Sequence, residues 1–147
     1  MQSDKIILEP LTAADAAFMF SLYTNASVAT EYTEAPFADG ESAINFTNRL
    51  IDFCEAVFTI RTNASPGTPI GDCALHHLNA ETKEMEIGGS LLPEHWGKGY
   101  MQEAFYLLAK IARDRFGAHV LIGNTEKTNH KAARLVEKMG FEKYQVE

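Results

Sequence analysis

Cysteine is scarce in this chain. Only Cys54 and Cys73 occur in 147 residues, and they show neither the density of a disulfide framework nor a metal-binding spacing. Both lie in apolar surroundings, Phe53-Cys54-Glu55-Ala56-Val57 and Asp72-Cys73-Ala74-Leu75, and read as small core residues in a reducing compartment. An excess of basic residues is lacking too: 13 Lys and Arg stand against 20 Asp and Glu, a formal charge of −7. That balance argues against a partner gripped through its phosphates, so nucleic acid is excluded as the main ligand. An acidic surface draws cationic partners such as free amines or basic peptide ends instead. No window approaches the roughly eighteen consecutive apolar residues of a membrane span. The start, Met1-Gln2-Ser3-Asp4-Lys5, has no basic stretch leading into an apolar segment. The expectation is a cytoplasmic protein with no membrane partner. Internal repeats and low-complexity tracts are also missing. What is present, 46% hydrophobic and 10% aromatic residues, suits one globular domain over residues 1–147. A domain of that size buries about two thirds of its unfolded surface without metal or disulfide staples.

The patterns along the chain alternate in period. Ile6-Ile7-Leu8, ended by Pro10, predicts a strand over 5–9. Thr12 with Asp15 three residues later resembles a capped helix start and predicts a helix over 12–24 carrying Phe18, Leu22 and Tyr23. Residues 26–38 have no period and offer a substrate-facing irregular surface. Ser42 to Phe53 places Ile44, Phe46, Leu50, Ile51 and Phe53 on one broad side of a second helix. Strands follow at 56–61, 70–78 and 85–92, with turn chemistry at Pro66-Gly67 and a tighter polar turn at Asn79-Ala80-Glu81-Thr82, which makes an antiparallel meander. A long helix then carries Met101, Ala104, Phe105, Leu108, Ile111, Ala112 and Phe116 on one face and stops at Gly117. His119 to Gly123 reads as a buried strand, Asn129 to Met139 as a helix closed by Gly140, and Phe141 to Val146 as a last strand. The fold class is therefore α+β, a mixed, mostly antiparallel sheet flanked by helices in the order β-α-α-β-β-β-α-β-α-β. A final strand at the chain end leaves an open sheet edge, to be covered by a partner copy in a homodimer or left by a shortened version of the fold.

The segment with most chemical content runs Leu91-Leu92-Pro93-Glu94-His95-Trp96-Gly97-Lys98-Gly99-Tyr100-Met101-Gln102-Glu103-Ala104. It joins a strand end, a glycine-bearing loop and the first turn of a long helix. The first N–H groups of a helix have no internal partners, and glycines let backbone approach a ligand closely, so a phosphate or pyrophosphate can sit there against the positive end of the dipole. Lys98 adds a cation. The same glycines also suit a plain strand-to-helix turn.

Together with Glu86-Ile87-Gly88-Gly89 upstream, this run resembles the acetyl-coenzyme A binding segment of the GNAT acetyltransferases, in particular the Rim-like branch of ribosomal-protein N-terminal acetyltransferases. Asn129-His130-Lys131-Ala132-Ala133-Arg134-Leu135-Val136-Glu137-Lys138-Met139-Gly140-Phe141 resembles a second signature of the same superfamily at the expected distance. The resemblance implies a V-shaped opening between the fourth and fifth strands for the pantetheine arm, its amides bonded to the backbone of Ser90, Leu91 and Leu92. It implies a pyrophosphate seat on the amides of Gly97, Lys98, Gly99, Tyr100, Met101 and Gln102, and a cofactor contact from Asn129. Lys131 stands near the phosphates or is a solvated helix charge. The chain departs from the family pattern at Trp96 and Met101, and Met101 is compatible with phosphate binding only when its side chain turns to the core. Two family branches carry Ser at the position of Ala132 or Tyr at that of Val136, either able to protonate the departing thiolate; this chain has neither hydroxyl.

Amine attack on a thioester needs positioning, an oxyanion donor and somewhere for the ammonium proton to go. The resemblance places a proton acceptor at Glu86, reaching the amine through water, with Glu84 on the same face by period two. A surface carboxylate is the alternative reading. His76 and His77 point to opposite faces of a regular strand, so one of them at most lines the opening; His77 is the candidate base. His95 reads as structural. Glu31, Tyr32 and Glu34 either receive a cationic amine or are solvated. The resulting expectation is an N-acetyltransferase that moves an acetyl group from acetyl-CoA to a small-molecule or peptide amine in a ternary complex. It needs no metal and no covalent intermediate on Cys54 or Cys73. The alternative is a GNAT-like module that binds coenzyme A with weak turnover.

Overall fold

The computed structural model describes residues 1–32 and 36–123. Glu34, Asn129, Lys131, Ala132, Val136 and the expected last helix and strand lie outside them. Strand β1 (Ile6–Pro10) leads through Thr12, whose side chain closes a capping box with Asp15, into helix α1 (Ala16–Thr24). The segment expected to be irregular contains a short helix, α2 (Ala26–Ala29). It forms because Asn25 Oδ1 accepts from the amides of Ser27 and Val28. Ser42 caps helix α3 (Ala43–Phe53) through Asn45 N at 3.1 Å. Strands β2 (Ala56–Thr62), β3 (Ser65–Asn79) and β4 (Glu84–Leu91) make the meander, helix α4 (Tyr100–Phe116) crosses over, and β5 (Val120–Gly123) returns.

The sheet order is β1-β2-β3-β4-β5; the first four strands pair antiparallel and β5 pairs parallel with β4. A β4–α4–β5 crossover is the right length for that parallel step. The meander departs from expectation at its first connection. Thr62 pairs with Ser65, so Asn63-Ala64 is the turn and Pro66-Gly67 belongs to β3, which accommodates them through register shifts at Arg61. The polar turn is as expected, with Asn79 Oδ1 accepting from the amides of Glu81 and Thr82. Helix α4 stops at Gly117, whose φ of 65° carries the left-handed cap. Strand β5 is less buried than its apolar run implies: Val120 is exposed, and Leu121 to Gly123 are half-buried.

Period two divides the sheet between two cores. Ile6, Leu8, Phe58, Ile60, Cys73, Leu75, Met85 and Ile87 face α4 and pack on Ala104, Phe105, Leu108 and Ile111. On the other side, Leu11, Met19, Leu22, Tyr23, Val28 and Phe46 form a second cluster that Val57 and Leu92 join. The alternation therefore turns Asp72, Ala74 and His76 of β3, and Glu86, Gly88 and Ser90 of β4, toward the side of α1 and α3.

Leu75 is fully buried beneath α4, whereas Ser42 contributes one exposed capping bond. Urea unfolding is expected to show Leu75→Ala costing about 3 kcal/mol and Ser42→Ala about 1 kcal/mol. Equal losses would contradict this division between core and cap.

Candidate functional site

Strand β4 pairs with β5 only from Glu84↔Val120 to Ile87↔Gly123. Beyond that point Gly88 to Leu91 have no partner on this side among the described residues. Backbone polarity decides what this side of β4 offers. Leu92 N donates to Ile70 O at 2.9 Å, and Ser90 N donates to Asp72 Oδ1 at 3.1 Å, so these two amides are turned toward β3. In an antiparallel ladder alternate residues face alternate neighbours, which leaves the amides of Gly89 and Leu91 directed away from β3. The Leu91 carbonyl is already taken, accepting from Trp96 Nε1 at 2.9 Å. Of the three strand residues expected to hold the pantetheine amides, Leu91 is thus favourably turned, while Ser90 and Leu92 are not. The parity of a strand is invisible until its register is known.

The loop after β4 is shaped by two left-handed glycines, Gly97 at φ 79° and Gly99 at φ 83°. A Cβ at Gly97 would meet nothing within 4 Å, so glycine is required there by conformation rather than by crowding. Helix α4 begins at Tyr100 with no side-chain cap, and the first amide returned to the helix is Glu103 N on Gly99 O at 3.1 Å. The amides of Tyr100, Met101 and Gln102 precede that bond and have no intrahelical acceptor four residues back. Met101 is half-buried and packed on the core beneath α4, which removes its side chain from the amide cluster. Lys98 is exposed, and its carbonyl accepts from Lys5 Nζ at 3.4 Å. His95 packs its ring against Tyr100, centroids 6.2 Å apart, in keeping with a structural part.

On the sheet side facing α1 and α3, the structure brings together a set that sequence reasoning missed. Asp72 is 4% exposed, with Oδ2 accepting from Tyr23 Oη at 2.7 Å and Oδ1 from Ser90 N. Ser90 Oγ in turn meets the Tyr32 hydroxyl. Burial pushes the Asp72 carboxyl up to about 6, with the Tyr23 and Ser90 hydrogen bonds opposing the shift. Desolvation and the nearby Asp72 charge raise the Tyr32 hydroxyl to about 12 and Tyr23 well above the ordinary phenol. An acid inside the apolar run Ile70-Gly71-Asp72-Cys73-Ala74 was the available signal. Tyr32, one of the candidate amine-facing residues, is part of this set.

The histidines depart furthest from expectation. His77 has φ 55°, and the β3–β4 register shifts between His76 and Asn79. This bulge undoes the alternation, so the rings do not diverge: His76 Nδ1 and His77 Nδ1 are 2.8 Å apart. His77 Nδ1 lies 2.8 Å from Glu86 Oε2, and Phe53 packs against both imidazoles. Glu86, one residue before the last described β4–β5 pair, thus sits beside His77. Cys54 and Cys73 are held as thiols; burial raises Cys54 to about 11 and Cys73 well above its ordinary value.

A family model for an acetyltransferase (GNAT) domain matches residues 5–142. The chain is 28% identical to the uncharacterized N-acetyltransferase YoaA of Bacillus subtilis (strain 168), over 97% of this chain and 82% of that protein. It is 22% identical to the uncharacterized N-acetyltransferase p20 of Bacillus licheniformis, with the same two coverages. Among solved structures, a GNAT-family acetyltransferase from Bacillus anthracis shares the fold at TM-score 0.84 and 20% identity, covering 99% of this chain and 84% of that one. A spermidine N-acetyltransferase from Vibrio cholerae, in complex with CoA and spermine, does so at TM-score 0.82 and 23% identity, covering 97% and 84%.

The raised Asp72 carboxyl has a sign that can be checked. The folded state holds its proton more tightly than the unfolded chain, so this contribution to stability is full below about pH 4 and is lost as pH rises to about 6. Urea titrations of the wild type and Asp72→Asn are expected to differ by a margin that shrinks by about 3 kcal/mol between pH 3.5 and pH 7. A constant margin would show that Asp72 ionises in the folded protein as it does in water.

Proposed function

The chain belongs to the GNAT acetyltransferase domain family, and from that premise we propose that, as a single domain, it moves an acetyl group from acetyl-CoA to a primary amine by direct attack in a ternary complex. The observation that carries this reading is the helix start that follows β4, where the Tyr100, Met101 and Gln102 amides have no side-chain cap and two left-handed glycines shape the turn. An extended arm with amides of its own fits the strand edge, through Gly89 and Leu91. A diphosphate fits the turn, through the backbone of Gly97 to Gln102 with Lys98 nearby. The distance along the chain between these two donor sets is short, as one nucleotide thioester requires.

Catalysis then rests on what this chain's own groups do. The strand amides directed into the opening hold the thioester carbonyl as negative charge grows on its oxygen. The amine arrives on the side of α1 and α3, where an acidic surface and the Tyr32 and Asp72 set favour a cation. Glu86, with His77 at 2.8 Å, accepts the proton that the amine sheds, directly or through water. The bulge at His77 supports the pair as a unit, since it turns an imidazole onto a carboxylate that a regular strand would hold apart. Protonated thiols at half-buried Cys54 and buried Cys73 support direct transfer over an acyl-cysteine route.

Small polyamines are the first acceptors to try, supported by the spermine complex of the Vibrio cholerae relative and by the net acidity of this chain. Peptide N-termini come second, on the likeness of the Trp96-bearing loop to the Rim-like branch. A thiol-release assay with both classes distinguishes a working transferase from a module that only binds coenzyme A.

Roles separate by variant. Gly99→Val places a β-branched residue at φ 83° beside Lys5 Nζ and is expected to weaken acetyl-CoA binding at least tenfold, about 1.4 kcal/mol, by calorimetry. Glu86→Gln is expected to lower kcat about a hundredfold while leaving acetyl-CoA affinity nearly unchanged. Equal losses of affinity in the two variants would contradict the assignment.

A further inference from the structure

His77 Nδ1 stands 2.8 Å from His76 Nδ1 and 2.8 Å from Glu86 Oε2, and the three ligand atoms all lie within 4.8 Å of one another. An imidazole Nδ1 has one in-plane orbital, which carries either a hydrogen or a lone pair and aims in one direction. Two contacts of hydrogen-bond length on that single atom therefore compete for one proton. A cation placed among the three atoms removes the competition, because both imidazole lone pairs and the carboxylate oxygen become donors to it.

The backbone reinforces this view. His77 is a non-glycine residue in the left-handed region two residues before the end of β3, a conformation that costs on the order of 1 kcal/mol. The bulge there brings a second imidazole to the side where His76 and Glu86 already face each other across β3 and β4. Phe53 packs against both rings, at 5.8 and 5.1 Å between centroids, and restricts their rotation. The site is reached from an open concavity lined by His77, Leu78, Asn79, Ala80 and Glu81, which leaves room for water at the remaining coordination positions. Around a tetrahedral Zn²⁺ with ligands at about 2.0–2.2 Å, neighbouring donors stand roughly 3.3 Å apart. The two short contacts need to spread by only about half an ångström, within the reach of side-chain rotation.

We infer that His76, His77 and Glu86 form a binding site for a divalent first-row transition-metal cation, with Zn²⁺ as its type case. Two imidazoles and one carboxylate discriminate against Mg²⁺ and Ca²⁺, which take oxygen ligands. The expectation that no metal is needed, which rests on the spacing of the two cysteines alone, is revised accordingly: adjacent histidines in a strand have metal-like geometry only when a bulge intervenes. Occupancy would engage the Glu86 oxygen and the His77 nitrogen proposed as the proton acceptor, so a bound ion would inhibit acetyl transfer. That second effect, unlike the binding itself, rests on the catalytic roles proposed above.

The test uses the untagged full chain. Co²⁺ titration is expected to develop visible ligand-field bands that saturate at one equivalent and are abolished by Zn²⁺, with Zn²⁺ affinity measured by calorimetry. His76→Gln and Glu86→Gln, each checked by circular dichroism, are each expected to weaken Zn²⁺ binding at least tenfold; the use of two variants covers the case in which one fails to fold. Absence of saturation by about 1 mM, or equal affinity in wild type and both variants, overturns the site. Zn²⁺ is also expected to suppress thiol release at the same midpoint as binding, with recovery on chelation. Saturable binding at the triad with undiminished transfer upholds the metal site and strikes out Glu86 and His77 as the proton acceptor.

Discussion

The amides that begin a helix have no acceptors within it, and this constraint governs the turn after β4. The first amides of α4 have neither a side-chain cap nor an acceptor four residues back. Strand β4 is held by β5 through four described residue pairs, and its Gly89 and Leu91 amides are turned away from β3. The two sets of donors lie on either side of a short loop. In the proposed function they recognise one elongated ligand with an amide-bearing arm and an anionic end.

Strand β4 is anchored from the direction of β3. Asp72 lies across from Ser90 in the ladder and takes the Ser90 amide with its side chain, while Tyr23 from α1 supplies a second donor. Gly89 adds to this closeness: a Cβ there would fall 2.5 Å from the Asp72 carbonyl, so the two strands approach in a way no larger residue allows. Helix α1 is thereby coupled to β4, and Tyr32 carries the connection to the segment beside the acceptor side. A carboxyl buried this deeply costs desolvation, seen in its upward shift, and two donors, from α1 and β4, offset part of that cost.

The architecture was legible in the sequence because its patterns are strong and local. Period two in β2 and β4, the Thr12–Asp15 box and the Gly117 stop each follow from interactions within a few residues. The glycine-bearing turn into α4 was legible for the same reason, since glycines and a helix start are contiguous. Other features depend on register, which no local pattern carries. That Ser90 and Leu92 turn their amides to β3 while Gly89 and Leu91 face outward follows from where β4 sits against β3. Pro66-Gly67 has the composition of a turn, yet Thr62 pairs with Ser65 and the proline is taken into the strand through a shift at Arg61. The divergence expected of His76 and His77 assumed an unbroken strand.

The left-handed residues show how to separate structural from chemical causes of strain. Gly97, Gly99 and Gly117 adopt positive φ at little cost, and each shapes a loop or ends a helix. Lys83 is not glycine, but its φ of 63° closes a tight connection: its amide returns to the Asn79 carbonyl and its own carbonyl receives the amides of His119 and Val120. The strain at Lys83 is thus offset by backbone bonds that join β4 to β5. His77 lacks glycine's freedom and lies in the bulge between the His76–Glu86 and Asn79–Glu84 pairs, next to the same connection. What its conformation achieves is a side-chain arrangement, an imidazole brought against another imidazole and a carboxylate beneath an aromatic ring. Strain offset by side-chain contacts, at the edge of a cleft and beside the strand that lines it, points to chemistry at those side chains rather than to the path of the chain.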